Sequence, residues 1–267
     1  MKETKVIAFA NNKGGSGKTT TCSNVGAAMA LDKKKVLMID GDMQMNLTIS
    51  YFDEEQALAF AQDGKTVYTA IKEEKDLSDF IVNTNIKGLD MIPSSSLMSS
   101  IEFELFSKWQ REIVLSKCLQ NVIKSGVYDY ILIDTPPTLG GWVMNIMCAA
   151  DFVVIPVEAS PWGLFGLANM FEFCEQVKRI SPKLEILGIA ITKADERKKY
   201  FKQTLETLKS LEGVTLFDQY VRVDSAVEWA QDISRPVVEF KKTSRSAIEY
   251  TNLTKEIIKN VNRKKCN

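Results

Sequence analysis

The sequence contains no histidine, and its five cysteines, Cys22, Cys118, Cys148, Cys174 and Cys266, include no C-x-x-C pair. Together these absences argue against a zinc site and against a disulfide framework, and they suit a reducing cytosol. No apolar run approaches the length needed to cross a bilayer. Residues 1–5 are polar and lead straight into the first apolar segment, leaving no room for a cleavable signal. A soluble, cytoplasmic protein is therefore expected. Net charge is missing too: 34 basic residues balance 34 acidic ones, so overall charge points to no nucleic-acid partner. There is no internal repeat, no low-complexity tract and no linker rich in Pro, Gly or Ser. One domain spanning 1–267 is the simplest reading, and it is long enough to bury a full core without staples.

The charge that is present is unevenly placed. Residues 235–267 carry nine basic and three acidic side chains, a local +6 offset by −6 elsewhere. Such a segment suits a polyanionic partner, and it equally suits a solvated helix face.

Apolar runs of strand length alternate with longer stretches of helical periodicity, the pattern of βαβ units with a mostly parallel twisted sheet and helices on both faces. Strands are expected at 5–10, 35–40, 128–134, 152–157 and 184–192, and helices at 19–31, 108–124, 162–180, 198–211 and 245–261. Residues 51–100 mix short amphipathic pieces with a strand-like stretch at 88–92. Two of the strands end in aspartates, Asp40 and Asp134, at the sheet edge where open α/β folds place their ligands.

Directly after the first strand comes Asn11-Asn12-Lys13-Gly14-Gly15-Ser16-Gly17-Lys18-Thr19-Thr20, which opens a helix. Gly14, Gly15 and Gly17 let the backbone turn sharply so that N–H groups, including those of Ser16 and Thr20, can close around phosphate oxygens at a helix N-terminus. Lys18 brings a cation to the β- and γ-phosphates, and the Thr19 hydroxyl can ligate Mg²⁺. The sequence thus signals a P-loop. It departs from the ordinary Walker A pattern in placing Asn12 where the first glycine stands and Lys13 just before the paired glycines.

This K-G-G-x-G-K-T-T form resembles the deviant Walker A loop of the ParA/MinD group of ATPases. The resemblance implies that Lys13 acts in trans, reaching across a dimer interface to the partner's phosphates with the effect of an arginine finger. The segment Asp40-Gly41-Asp42-Met43-Gln44-Met45-Asn46-Leu47-Thr48 is similar to the ParA pattern D-x-D-P-Q-x-N-x-T, with Met43 in place of the proline, which leaves that loop less preset. By resemblance Asp40 belongs to the outer shell of the magnesium ion, and Asp42 positions or deprotonates the attacking water. Asp134, in Ile131-Leu132-Ile133-Asp134-Thr135-Pro136-Pro137, resembles a Walker B aspartate that holds Mg²⁺ directly or through water. Thr138 to Trp142 are similar to the post-proline loop where dimer contacts form. Further matches, among them Ile155-Pro156-Val157-Glu158, Val221-Arg222-Val223-Asp224 and Ser244-Arg245, extend the likeness from about Val6 to about Ile257.

Within the group, Cys148 sits in what reads as a buried helix face, unlike a cluster cysteine of nitrogenase iron protein. The arsenite and tail-anchor ATPases are longer chains. A MinD-like protein should end in an amphipathic membrane helix with bulky apolar residues, whereas the spacing of Leu253, Ile257, Ile258 and Val261 suits packing on a core. The P-loop begins only ten residues in, so the chain resembles the short ParA forms without an N-terminal helix-turn-helix. The resemblance then implies a slow, Mg²⁺-dependent ATPase, stimulated by partner and DNA, that forms a homodimer in the ATP state. It would bind duplex DNA non-specifically, with Arg222, Lys241, Lys242 and Arg245 as the DNA-binding candidates. A ParB-like partner, a nucleoid location and the partition of a plasmid, mobile element or chromosome complete the expectation, with no membrane involved. Two alternatives stand beside it: a MinD-like positioning ATPase, and a GTPase suggested by Thr192-Lys193-Ala194-Asp195, which looks like an altered N-K-x-D.

Overall fold

A computed structural model of the chain describes residues 3–160 and 164–264. In chain order its elements are β1 (Lys5–Phe9), α1 (Lys18–Leu31), β2 (Val36–Asp40), α2 (Asn46–Ile49), α3 (Glu54–Gln62), α4 (Val67–Glu73), β3 (Val82–Asn83) and β4 (Leu89–Ile92). Then follow α5 (Ile101–Phe106), α6 (Val114–Ser125), β5 (Tyr130–Asp134), α7 (Gly141–Ala149), β6 (Phe152–Glu158), α8 (Leu167–Lys178) and β7 (Glu185–Thr192). The chain ends in α9 (Lys199–Lys209), α10 (Ser225–Asp232), α11 (Val237–Phe240) and α12 (Arg245–Lys264).

The strands form a seven-stranded sheet in the order β3-β4-β2-β5-β1-β6-β7. Every pairing is parallel except that of the two-residue edge strand β3 with β4. Successive strand residues point to opposite faces, and here both faces are covered. Val6 and Ala8 pack with α4 to α8, while Ile7 and Phe9 pack with α1 and α12. A sheet buried on both sides needs continuously apolar strands, which is why β2 and β5 read VLMID and YILID. That same burial brings the terminal Asp of each strand into a water-poor setting, at one register level in adjacent strands.

The expected strands stand where the apolar runs are, with ends shifted by one or two residues. Two expected helices start later than periodicity suggested. Gln110 lies in the left-handed region at φ 53° and a 3-10 turn occupies Arg111–Ile113. The Asn145 side chain accepts from Leu115 N at 3.1 Å and donates to the Arg111 carbonyl, fixing the start of α6 at Val114 rather than residue 108. Likewise α8 starts at Leu167, after Gly166 at φ 88°; a Cβ there would come within 2.7 Å of the Asn12 side chain, so the chain turns where it abuts the P-loop. Trp162, the expected first residue of that helix, lies outside the described residues, as does Cys266. The other four cysteines are buried and free. On α12, Leu253, Ile257 and Val261 are buried against α1 and the sheet, as their spacing indicated. Among the described residues no helix is long and apolar enough to cross a membrane.

Candidate active site

The loop between β1 and α1 is shaped by glycine backbone and by bonds to neighbouring strands. Gly15 and Gly17 have φ of 73° and 84°, a region costly for residues with a Cβ. A Cβ on Gly15 would meet nothing within 4 Å, whereas one on Gly17 would press on the Thr192 hydroxyl at 3.1 Å. One side of the loop is therefore open and the other is seated on β7. Thr192 Oγ1 donates to the Ser16 carbonyl at 2.8 Å, and Asn11 Nδ2 donates to the Pro156 carbonyl at 2.7 Å. Lys18 opens α1 with its Nζ donating to the Lys13 carbonyl at 3.2 Å across the loop. Burial lowers its pKa, opposed by the charges of Asp134 and Asp42.

Three aspartates approach this loop. Asp134 is fully buried and its two carboxylate oxygens make no hydrogen bond of ordinary geometry. Burial first, then the Asp40 charge, raises its pKa well above the usual carboxylate range, with the Thr19 hydroxyl and Lys18 offsetting part of the cost. Asp40 is equally buried but fully engaged. Its Oδ1 accepts from Asp42 N at 3.1 Å, and its Oδ2 accepts from Thr48 N at 2.8 Å and Thr48 Oγ1 at 2.7 Å. Asp42 is buried at the cavity wall; its Oδ1 accepts from Gln44 N at 3.1 Å and its carbonyl from Ser94 Oγ at 2.7 Å.

Lys18 and Asp42 border a cavity of about 750 Å³ lined by Gly14 to Thr20, Asp42, Gln44, Pro137 and Lys193 among others, while Asp40 and Asp134 are fully buried outside that lining. A smaller cavity of about 290 Å³ adjoins it beyond Gly17 and Thr20, walled by Thr192, Val221 to Asp224, Gln231 and Tyr250. The residues fit a magnesium nucleotide. Unpartnered buried oxygens are expensive unless a ligand pairs them, and Asp134 Oδ1, Asp134 Oδ2 and Ser16 Oγ are such atoms. Among the described residues no group of three or more Asp, Glu, Cys or His side chains is arranged to hold a metal ion. A Mg²⁺ ion at this place would take its remaining ligands from phosphate oxygens and water, as is usual for that ion.

Burial raises the Asp40 pKa to about 6, only partly opposed by the Thr48 and Asp42 donors. A carboxyl whose folded pKa exceeds its unfolded value favours the fold below the unfolded pKa and loses that advantage as pH rises through the folded one. Thermal unfolding of the nucleotide-free protein should therefore show wild type losing about 2 kcal/mol relative to Asp40→Asn between pH 4 and pH 7. An unchanged difference across that range would mean that Asp40 is ionised without cost.

Lys13 does not point freely into solvent. Its Nζ lies 2.9 Å from Glu158 Oε2 and donates to Ser160 Oγ at 3.2 Å, and the lysine charge helps hold the Glu158 carboxyl below its usual pKa against the effect of burial. The four basic residues singled out for DNA differ among themselves. Arg222 Nε contacts Glu249 Oε1 at 2.5 Å and its Nη1 contacts Glu196 Oε2 at 3.1 Å, so its charge is paired within the chain. Lys241 Nζ sits 4.8 Å above the Trp229 ring, and Arg245 Nη2 donates to the Val223 carbonyl at 2.5 Å. Lys242 is exposed. Arg235 and Lys264 are likewise paired, with Glu239 and Glu185; Glu239 is already counted in the C-terminal balance, so of these two pairs only that of Lys264 with Glu185 offsets the excess. Sequence reasoning missed Thr192 as a seat for the loop, Thr48 and Ser94 as anchors of the Asp42 segment, and Glu158 as a partner for Lys13. Thr48, Glu158 and Thr192 each stood in a stretch compared with a motif, whereas Ser94 stood in none.

A family model described as an AAA domain matches residues 4–186. The chain is 34% identical over 257 residues to the sporulation initiation inhibitor protein Soj of Bacillus subtilis, covering 96% of this chain and 99% of that one. It is 32% identical over 255 residues to the chromosome partitioning protein ParA of Caulobacter vibrioides, covering 95% and 94%. The chain belongs to the ParA/Soj family. This is a family of P-loop ATPases, and the fold agrees. A cobyrinic acid a,c-diamide synthase from Mycobacterium smegmatis, solved with ADP and magnesium, superposes with TM-score 0.80 at 25% identity over 94% of this chain and 93% of that one. A plasmid partition protein from Borrelia burgdorferi bound to AMPPNP gives TM-score 0.79 at 24% identity, over 98% and 100%, a likeness of fold.

Proposed function

We propose that the chain is a Mg²⁺-dependent partition ATPase of one domain that dimerises on ATP, binds duplex DNA in that state and is stimulated by DNA and a ParB-like partner. The observation that carries the ATPase reading is the pair of buried, unpartnered Asp134 oxygens beside Lys18 and Thr19 under an open glycine loop. Phosphoryl transfer needs mainly placement and charge neutralisation. The loop amides and Lys18 would hold the phosphates, Thr19 and Asp134 would hold Mg²⁺, and Asp40 would brace Asp42. The bound ion supplies charge neutralisation on the phosphate oxygens. Asp42, at the cavity wall, orients the attacking water or accepts its proton. ATP is favoured over GTP because Asp195, the residue that would read guanine, gives both carboxylate oxygens to Arg197 at 2.9 Å.

Lys13 can neutralise a partner's phosphates only after leaving Glu158, so nucleotide and a second subunit must compete with that ion pair. Sizing in a non-hydrolysable ATP analogue should show a dimer for wild type and a monomer for Lys13→Ala. A wild type that stays monomeric, or a variant that dimerises equally, would exclude the trans role.

DNA binding is assigned to Lys241, Lys242 and Arg245, near the start of α12. Each cation on a phosphate releases condensed counterions, so affinity should fall steeply with salt, and two subunits together gain by avidity. A titration with ATP should show binding that ADP abolishes, and reversing both Lys242 and Arg245 to Glu should weaken it by about 10-fold or more at moderate salt. Binding that ignores nucleotide and salt, or survives both reversals, would remove this surface. A nucleoid location in the cytoplasm follows from DNA binding. Packing of the α12 apolar face inside the fold favours this reading over a MinD-like membrane helix.

A further inference from the structure

The peptide unit between Gly41 and Asp42 is pinned at both ends. Its N–H, that of Asp42, donates to Asp40 Oδ1 at 3.1 Å, and its carbonyl, that of Gly41, accepts from the Trp142 indole Nε1 at 2.8 Å. Trp142 is 1% exposed, so water cannot replace that donor. The site is too close for a side chain at position 41: a Cβ there would lie 2.6 Å from the Asp134 carbonyl and 3.3 Å from the indole nitrogen. Gly41 N also donates to that Asp134 carbonyl at 3.1 Å, so the segment carrying Asp42 is wedged between β5 and the first turn of α7.

Trp142 is itself held from outside the cavity. Its backbone N–H donates to Glu102 Oε1 of α5 at 3.0 Å. The approach requires Gly140 and Gly141, because a Cβ on either would collide with the Glu102 carboxylate, at 2.3 and 2.8 Å. Glu102 thereby caps the N-terminus of α7, where the N-cap residue Gly140 has no side chain to do so. An anionic cap at this end also meets the positive pole of the helix. The chain of contacts runs from Glu102 through the Trp142 backbone and ring to the peptide that aims Asp42.

We propose that Trp142 is a positioning residue for Asp42 in ATP hydrolysis, and that Glu102 on α5 sets Trp142 in place. The ring donor fixes the peptide plane just before Asp42, and small misplacement of a water-orienting group is costly in turnover while leaving phosphate contacts alone. The effect is therefore on kcat and not on nucleotide affinity, because Lys18 and the loop amides are untouched by either residue. Glu102 is exposed, so its substitution tests the relay without emptying the core.

Because this assignment builds on Asp42 as the residue that places water, five variants are assayed beside wild type: Asp42→Ala, Trp142→Phe, Glu102→Ala, Glu102→Gln and the double variant that joins Asp42→Ala to Trp142→Phe. Trp142→Phe keeps a buried ring and removes the N–H; it should lower kcat about 10-fold with nucleotide Kd changed less than about 2-fold. Glu102→Ala should lower kcat about 3-fold, and Glu102→Gln, which retains an acceptor for Trp142 N, should restore most of it. In the Asp42→Ala background Trp142→Phe should add nothing, since residues acting through one another are not additive. If Asp42→Ala turns over normally, the role of Asp42 fails. If Asp42→Ala is impaired while both Trp142→Phe and Glu102→Ala match wild type, or if they raise Kd in step with any loss of kcat, the positioning role is overturned and the Asp42 assignment stands.

Discussion

Lys18→Ala should lose nucleotide binding, with affinity for MgATP falling about 100-fold or more. Lys18 is the cation at the mouth of α1. It is largely buried between the loop and two acidic groups, with burial working against its charge. A cation kept in such a place at a desolvation cost is poised for an anion that repays it, and triphosphate oxygens carry far more charge than the Lys13 carbonyl it now contacts. The loss should appear in ground-state binding as well as in turnover, because phosphate is held before any bond breaks. Isothermal titration with a non-hydrolysable analogue checks it. Near-wild-type affinity in Lys18→Ala would show that the glycine loop amides alone carry the binding.

How much of this was legible in the sequence depends on whether the signal was local. β1, β2, β5, β6 and β7 were visible because strands buried on both faces must be apolar throughout, and the P-loop because its glycines and Lys18 act within a few residues. The ends of α6 and α8 were not visible, since they are set by Asn145 and by the meeting of Gly166 with Asn12, contacts between residues far apart in the chain. Helix α10 spans only Ser225–Asp232, too short for a clear period, although its cap was written in Asp224, whose Oδ1 accepts from Ala226 N at 3.0 Å. Within the site, composition could count Arg222 as a surface charge. Only the fold shows that Glu249 and Glu196 take it. Trp142 read as part of a loop similar to a family motif, and nothing in its neighbours announced that its ring reaches Gly41.

Asp42→Ala should bind MgATP within a few-fold of wild type and turn it over about 100-fold to 10,000-fold more slowly, the range a positioned base or water-orienting group contributes. The structure separates it from the other two aspartates. Asp40 has both oxygens committed to protein donors, and Asp134 is fully buried and lies outside the residues that line the cavity, while Asp42 lines it. Its Oδ1 accepts from Gln44 N, and its backbone is fixed on one side by Asp40 and Trp142 and on the other by Ser94. Removing the carboxylate therefore leaves the loop anchored and the phosphate contacts intact. The loss should fall on the chemical step, with kcat and kcat/KM reduced together.

The most direct test is a single-turnover measurement of γ-phosphate release from ATP bound in excess enzyme, with and without Mg²⁺, for wild type and Asp42→Ala. The account predicts Mg²⁺-dependent release of ADP and phosphate by wild type, and a bound but uncleaved nucleotide in Asp42→Ala. Release by the variant at the wild-type rate, or ATP bound by wild type and never cleaved in the presence of Mg²⁺, DNA and a cognate partner, would contradict it.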